Sequence, residues 1–257
     1  MERSNFQTFK RERSEPNRSE ATKPSRSAAK ARKRKLEVLY EDNHLIAVNK
    51  RPGDIVQGDK TGDEPLSETI KRYLKEKYNK PGNVFCGVIH RLDRPTSGIV
   101  LFARTSKALA RMNEQFRDKK VQKAYWAVVK NRPQQPQARL THWLRKNQQQ
   151  NKSYASEREK PGSKKAILSY ELIQSSERYH LLEVQLETGR HHQIRVQLSH
   201  MGSPIRGDLK YGFDRPNKDG SIHLHARTLE FVHPVKKEPV KLVAPVPQGD
   251  AVWQVFS

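Results

Sequence analysis

The chain has 257 residues, and 50 Lys and Arg against 28 Asp and Glu give a formal charge of +22 at pH 7. Leu, Ile, Val and Phe together number 56, about 22%, just above the level near 20% at which a highly charged chain is expected to be disordered. The longest clear apolar run, Ile99-Val100-Leu101-Phe102-Ala103, falls far short of the roughly 18 residues of a membrane-spanning helix, and the one cysteine, Cys86, excludes an intrachain disulfide framework.

Residues 1–35 hold 12 Lys and Arg, 4 acidic residues and only Phe6 and Phe9 of the large apolar types, so they are expected to form a disordered basic tail. They lack the apolar middle of a secretory signal, and Glu2, Glu12, Glu15 and Glu20 do not suit an organelle transit peptide. A reducing compartment follows, most simply the cytoplasm. Residues 36–257 keep a charge of +14 and enough apolar residues for one domain, so the folded body itself calls for a polyanionic partner.

From residue 37 the pattern changes to short β-like runs. Residues 37–40 and 44–49 flank the turn-forming Glu41-Asp42-Asn43 and predict a hairpin. Leu66, Ile70, Leu74 and Tyr78 recur every four residues after Pro65, which predicts an amphipathic helix. A strand over 99–103 follows Gly98. Ser106 is the expected cap of a second helix with Leu109, Met112 and Phe116 on one face, and 121–130 reads as a strand. Residues 133–139 and 148–165 carry Pro, Gly, Gln and Ser with little to bury and are expected to be surface loops. Strands are predicted at 167–173, 180–186, 223–232 and 240–244. A helix is predicted over 190–201 with Ile194, Leu198 and Met201 on one face. Strand runs with interspersed helices and no regular βαβ alternation predict an α+β fold with a mixed, mainly antiparallel central sheet flanked by helices and loops.

Two polar clusters interrupt these elements. In His90-Arg91-Leu92-Asp93-Arg94-Pro95-Thr96-Ser97-Gly98 a carboxylate sits among cationic side chains between two apolar runs, a setting that keeps Asp93 ionised. A loop carboxylate paired for structural reasons alone has the same signature, and spacing does not separate the two. In Thr188-Gly189-Arg190-His191-His192-Gln193-Ile194-Arg195, burial of Ile194 spreads Arg190, His191 and Arg195 around a helix start.

A zinc site is not expected: adjacent His191 and His192 point in different directions on a helix, and His223 and His225 lack an acidic third ligand. The phosphate-cradling and dinucleotide glycine loops are missing. So is the Gly-x-Ser-x-Gly elbow of a serine hydrolase, which leaves Thr96 and Ser97 as loop-shaping hydroxyls.

Taken together, His90-Arg91-Leu92-Asp93-x-x-Thr96-Ser97-Gly98, Lys123-Ala124-Tyr125-x-Ala127, Thr188-Gly189-Arg190-x-His192-Gln193-Ile194-Arg195, Pro204-Ile205-x-Gly207-Asp208 with Tyr211-Gly212, and Leu224-His225-Ala226 resemble, in order and spacing, the RluA-type family of RNA pseudouridine synthases. Tyr40-Glu41-Asp42, Val48-Asn49-Lys50 and Phe231-x-His233-Pro234 extend the resemblance over about residues 37–247. Arg94-Pro95 fills the variable pair of the first motif, and Gln197 stands where many relatives carry His. The 35 tail residues are too few for the S4 RNA-binding domain of some relatives.

The resemblance implies an isomerase that needs no cofactor and no metal and converts uridine in structured RNA, ribosomal RNA ahead of tRNA, to pseudouridine. It implies Asp93 as the essential carboxylate, Arg195 as its partner, and Tyr125 as the active-site aromatic that stacks on the base and moves a proton. It assigns Arg91 to fill the stack vacated by a flipped nucleotide. His90, Arg190, His192, Arg206 and Lys210 are the further expected RNA contacts. No coiled-coil repeat or long apolar face predicts an oligomer, so a monomer is expected. The rival reading, drawn from charge and tail alone, is a non-catalytic RNA-binding or ribosome-assembly factor.

Overall fold

A computed structural model describes Met1, residues 36–59 and residues 61–256. The expected disordered tail lies outside the described residues. The elements below all belong to the unit Leu36–Ser257.

The predicted hairpin is β1 (Val38–Glu41) and β2 (Leu45–Lys50). Its turn is closed by Asp42, whose Oδ1 accepts from the N–H groups of His44 and Leu45, both at 2.8 Å. Helix α1 (Leu66–Lys77) buries Leu66, Ile70 and Leu74 and places Lys75 and Lys77 in its last turn, where the helix dipole favours cations. A short β3 (Gly87–Val88) precedes β4 (Ser97–Ala103). Helix α2 (Ser106–Arg117) is capped by Thr105 rather than Ser106: the Thr105 hydroxyl accepts from the Ala108 N–H at 3.2 Å, and Ser106 is already the first helical residue.

Next come β5 (Gln122–Val129), β6 (Gln137–Asn147), β7 (Lys152–Ser156), β8 (Lys164–Ser175) and β9 (His180–Leu186). The expected loops at 133–139 and 148–165 are therefore partly strand. β7 pairs only with β6 at the end of the sheet, where one row of ladder bonds suffices and a largely polar sequence is tolerated. Helix α3 (Gln193–His200) starts three residues later than predicted, because His192 before it adopts the left-handed conformation (φ 54°). A 3₁₀ turn (Leu209–Tyr211), β10 (Leu224–Val232), β11 (Pro239–Val243) and a short α4 (Ala251–Val255), not foreseen from the sequence, complete the chain.

The strands form one mixed sheet in the order β1-β2-β4-β10-β5-β9-β8-β6-β7, with β11 on β10 and β3 on β4. The β4–β10 pair is parallel and the other pairs are antiparallel, as the α+β reading expected. All of β4 is buried, which explains its unbroken apolar run: Leu101 faces Met112 and Phe231 on one side, and Val100 and Phe102 pack with Ile70 and Leu74 on the other. Beyond β10, Ile194 and Leu198 of α3 close over Ala127, Leu182 and Val184.

Register fixes the geometry of the site. Ala226 on β10 stands opposite both Gly98 at the start of β4 and Tyr125 on β5, so the loop before β4 and the middle of β5 meet across a single strand. Gly98 has φ +112°, and a Cβ there would overlap the Ala226 backbone; only glycine permits this approach.

Candidate active site

The loop carrying Asp93 is held from below by a buried ammonium. Lys50, at the end of β2, donates to the carbonyls of Thr96 (2.7 Å), Arg51 (3.0 Å) and Arg94 (3.1 Å). Burial pushes this lysine down to about 8, against the opposing pull of Asp54 and Asp93. Three further bonds fix the loop: Thr96 N–H to Asp93 O (3.0 Å), Gly53 N–H to Arg94 O (2.8 Å) and Ile222 N–H to Pro95 O (3.1 Å). Ser97 is hydrogen-bonded to His225 Nδ1 at 2.9 Å in a fully enclosed setting, and His225 Nε2 donates to the Ala244 carbonyl at 3.2 Å. This pair joins β4 to β10 and is shut off from solvent; neither hydroxyl shapes the loop as expected, because Ser97 bonds a side chain across the strands and the buried Thr96 hydroxyl has no hydrogen-bond partner among the described residues.

On the other side, Gln193 ties the turn before α3. Its Oε1 accepts from the Thr188 hydroxyl (2.8 Å) and the Arg190 N–H (2.9 Å), and its Nε2 donates to Ile167 O (3.0 Å). The turn is thereby set so that His192 and Arg195 both face Asp93.

Arg195 Nη1 donates to Asp93 Oδ2 at 3.1 Å, while its Nε and Nη2 grip the two oxygens of Asp208 at 2.7 and 2.8 Å. The guanidinium is 6% exposed and Asp208 1%, whereas Asp93 keeps 30% of its side chain open. Burial alone lowers the arginine pKa, but Asp208 and Asp93 outweigh it and carry the group above its ordinary value. Asp208 was part of a sequence motif without an assigned role; a buried bidentate partner for Arg195 becomes visible only in space.

A second line of contacts ends at the same carboxylate. The Ser153 N–H donates to Tyr211 Oη at 2.8 Å, and the Tyr211 hydroxyl is in turn hydrogen-bonded to His192 Nδ1, also at 2.8 Å. His192 Nε2 faces Asp93 Oδ2 at 3.6 Å, and we assign the ring proton to Nε2 because a carboxylate oxygen can only accept while the Tyr211 hydroxyl on the other side can donate. Burial, then the Arg195 charge, push His192 down to about 2, so it is neutral. Burial pushes the Tyr211 phenol up to about 12. Tyr125 is buried in the site wall, and desolvation, then the Asp93 charge, raise its phenol above the ordinary value; it holds its proton.

Asp93, Tyr125, His192 and Arg195 line a cleft of about 1080 Å³ that also includes Arg91, Lys123, Lys146, Arg190, His191 and Lys210, with Asp208, Tyr211 and Ser153 behind its wall. Arg91 is exposed at its edge. Arg190 lies there with its Nε on Lys165 O (3.0 Å), and Lys210 with its ammonium on Asn151 O (3.1 Å). Of the other expected RNA contacts, His90 lines the cleft and Arg206 does not. His90 stacks on Phe116 at 5.1 Å and accepts the Leu101 N–H at 3.0 Å, and burial pushes it down to about 3, so it is a neutral packing group of the cleft wall. Arg206 is outside the cleft lining: its Nη1 donates to Asn217 Oδ1 at 2.8 Å and its guanidinium lies 5.3 Å over the Tyr179 ring. The sequence reading missed Lys50, Ser153, Asp208 and Tyr211 as parts of the site.

The profile of the RNA pseudouridylate synthase family matches residues 44–200. The chain belongs to this family. It is 34% identical over 237 residues to the tRNA pseudouridine synthase C of Haemophilus influenzae, covering 85% of this chain and 95% of that one. It is 32% identical over 237 residues to the ribosomal large subunit pseudouridine synthase D of Xanthomonas campestris, covering 83% of this chain and 66% of the relative. An RNA pseudouridine synthase of Synechocystis is likewise spanned over 66% of its length. The fold matches the solved human RNA pseudouridylate synthase domain containing 4 with a TM-score of 0.69 at 24% identity, over 82% of this chain and 89% of that one. Asp93, Tyr125 and Arg195, from three separate family motifs, thus meet in one cleft of a pseudouridine synthase fold.

Proposed function

We propose that this family member isomerises uridine in structured RNA to pseudouridine, with ribosomal RNA the first substrate to test and tRNA the second. The observation that carries the reading is Asp93, half-open at the floor of a basic cleft and held by the buried Arg195–Asp208 pair.

The reaction breaks the C1′–N1 bond, joins C1′ to C5 and moves one proton from C5 to N1, so no atom or electron is gained or lost. A carboxylate that adds to, or stabilises, the electron-poor C1′ suffices to start it. Both contacts to Asp93 fall on Oδ2, and Oδ1 is the oxygen we assign to the sugar. Arg195 keeps the carboxylate charged and aimed. Tyr125 stacks on the uracil as a neutral phenol and serves as a hydrogen-bonding group; its raised pKa argues against phenolate as the resting base.

A paired or stacked uridine hides C1′, so the nucleotide must leave the stack, at about a few kcal/mol. Arg91 at the cleft edge takes the vacated place, where a planar guanidinium substitutes for a base. Phosphate contacts from Lys123, Lys146, Arg190 and Lys210 supply affinity that does not depend on sequence. We also propose that the protein acts as a monomer in the cytoplasm; its exposed large apolar side chains, such as Tyr78, Phe85, Ile173 and Val255, come from separate elements, which supports the monomer.

Carbodiimide mapping of pseudouridine in total RNA, from cells lacking the gene or complemented with wild type or Asp93→Asn, tests the reading. Sites lost on deletion and restored only by wild type support it. An unchanged map, together with no activity of purified protein on ribosomal or transfer RNA, favours the binding-factor reading.

A further inference from the structure

Outside the cleft, His142 in β6, Glu157 just after β7 and His200 at the end of α3 bring their side-chain tips together. Glu157 Oε1 lies 3.3 Å from His142 Nε2 and 2.8 Å from His200 Nε2, and all three ligand atoms fall within 4.8 Å of one another. Around a tetrahedral ion with bonds near 2.0–2.1 Å, ligand atoms stand about 3.4 Å apart. Small rotations of the two exposed side chains would meet that spacing. The imidazole of His142 is rigid, at 7% exposure, while His200 at 35% and Glu157 at 70% are adjustable and leave an ion open to water. A plain Glu157–His200 ion pair would not require the buried ring of His142 to point at the same oxygen.

A second observation comes from beneath His142. Gln197 is fully buried, its Nε2 lies 3.0 Å from His142 Nδ1, and its Oε1 has no hydrogen-bond partner. A histidine that ligates a metal through Nε2 presents an N–H at Nδ1, which calls for an acceptor behind it. A half-turn of the Gln197 amide supplies that acceptor and pairs the orphaned oxygen, while its NH2 gives up two long 3.4 Å bonds to the carbonyls of Leu140 and Ala166 and takes the place the oxygen held, a cost that ligation of the ion by His142 has to exceed.

We propose that His142, Glu157 and His200 form a site for one divalent transition-metal ion of the zinc class, with Gln197 as the group that orients His142. Two imidazoles exclude magnesium and calcium as the natural occupants, since those ions take oxygen ligands. The role is structural, because none of the three ligands lines the cleft. The ion ties the end of α3, which carries Arg195, to β6 and to the segment after β7, whose Ser153 holds Tyr211. The three positions are scattered in sequence, so no spacing motif announces them.

The full chain, stripped with a chelator, is titrated with Zn²⁺ against a chromophoric competitor, and its melting temperature is measured with and without Zn²⁺. Wild type should take up one Zn²⁺ and melt higher with it. Glu157→Gln and His200→Ala change exposed side chains and should fold, bind Zn²⁺ at least about tenfold more weakly and lose the thermal response. His180→Ala, a histidine outside the cluster, should behave as wild type. Equal affinity in the two ligand variants, loss of binding in His180→Ala, or no saturable uptake by wild type overturns the proposal.

Discussion

Arg195 reaches Asp93 with a single nitrogen because Asp208 holds two others in a bidentate grip, at 2.7 and 2.8 Å against 3.1 Å. The buried pair sets the plane of the guanidinium, and the more exposed Asp93 is aimed by it. Removing Asp208 leaves a buried cation with one carboxylate partner, the partly exposed Asp93, held by a single bond. Asp208→Ala should therefore lose about 3–5 kcal/mol of stability and most of its turnover. Urea denaturation and a single-turnover assay check this, and wild-type values for both would show that Arg195 needs no second anchor.

Tyr211 is the hinge of the contacts that fix the His192 proton on Nε2. Tyr211→Phe removes the acceptor of a buried Ser153 N–H, at about 1–3 kcal/mol, and frees His192 to take the other tautomer. The catalytic rate should fall while RNA affinity stays near wild type, because Tyr211 itself is buried. A pure affinity loss would place Tyr211 on the RNA instead.

The fold was legible where burial writes a period into the sequence. The β1–β2 hairpin, α1, β9 and the apolar run of β4 followed from it, as did the α+β class. β7 did not, because an end strand needs little apolar sequence, and the left-handed His192 that delays α3 has no signature in composition. Thr105 and Ser106 are neighbouring hydroxyls, either of them able to cap, and backbone geometry chose the first. Within the site, Asp93, Tyr125 and Arg195 were visible through the family motifs. His90 shared a motif with Asp93 yet turns into the wall, and Lys50 and Asp208 act through atoms that only the folded chain brings close.

Gly98 tests the junction of β4 and β10. Gly98→Ala places a methyl group against the Ala226 backbone and should cost more than about 4 kcal/mol, seen as loss of folded protein or a collapsed urea midpoint. Gly53, also at positive φ, has open space around the position of a Cβ, so Gly53→Ala should cost only about 1–2 kcal/mol. Similar losses in both would show that strain, and not the close strand approach, governs Gly98.

Acid should weaken the fold well before the carboxylates titrate. Burial holds His90 at about 3, His192 at about 2 and His225 at about 4, against 6.5 for a free histidine. Below pH 6.5 the unfolded chain binds protons that the folded chain refuses. Their stabilising contribution is thus complete above that pH and is lost as pH falls toward the folded values, at up to about 1.4 kcal/mol per pH unit for each histidine. Urea midpoints measured from pH 7 down to pH 5 should fall steadily; a flat profile would mean that these rings are charged in the folded protein.

Tritium release from RNA labelled at uridine C5 reports the C1′–C5 bond directly, since the C5 hydrogen leaves for solvent as pseudouridine forms. With ribosomal RNA and tRNA as substrates, wild type should release tritium, and Asp93→Asn should be slower by about 10⁴-fold or more while binding the same RNA. Release by Asp93→Asn at the wild-type rate would contradict the assignment of Asp93 as the carboxylate that acts on the sugar.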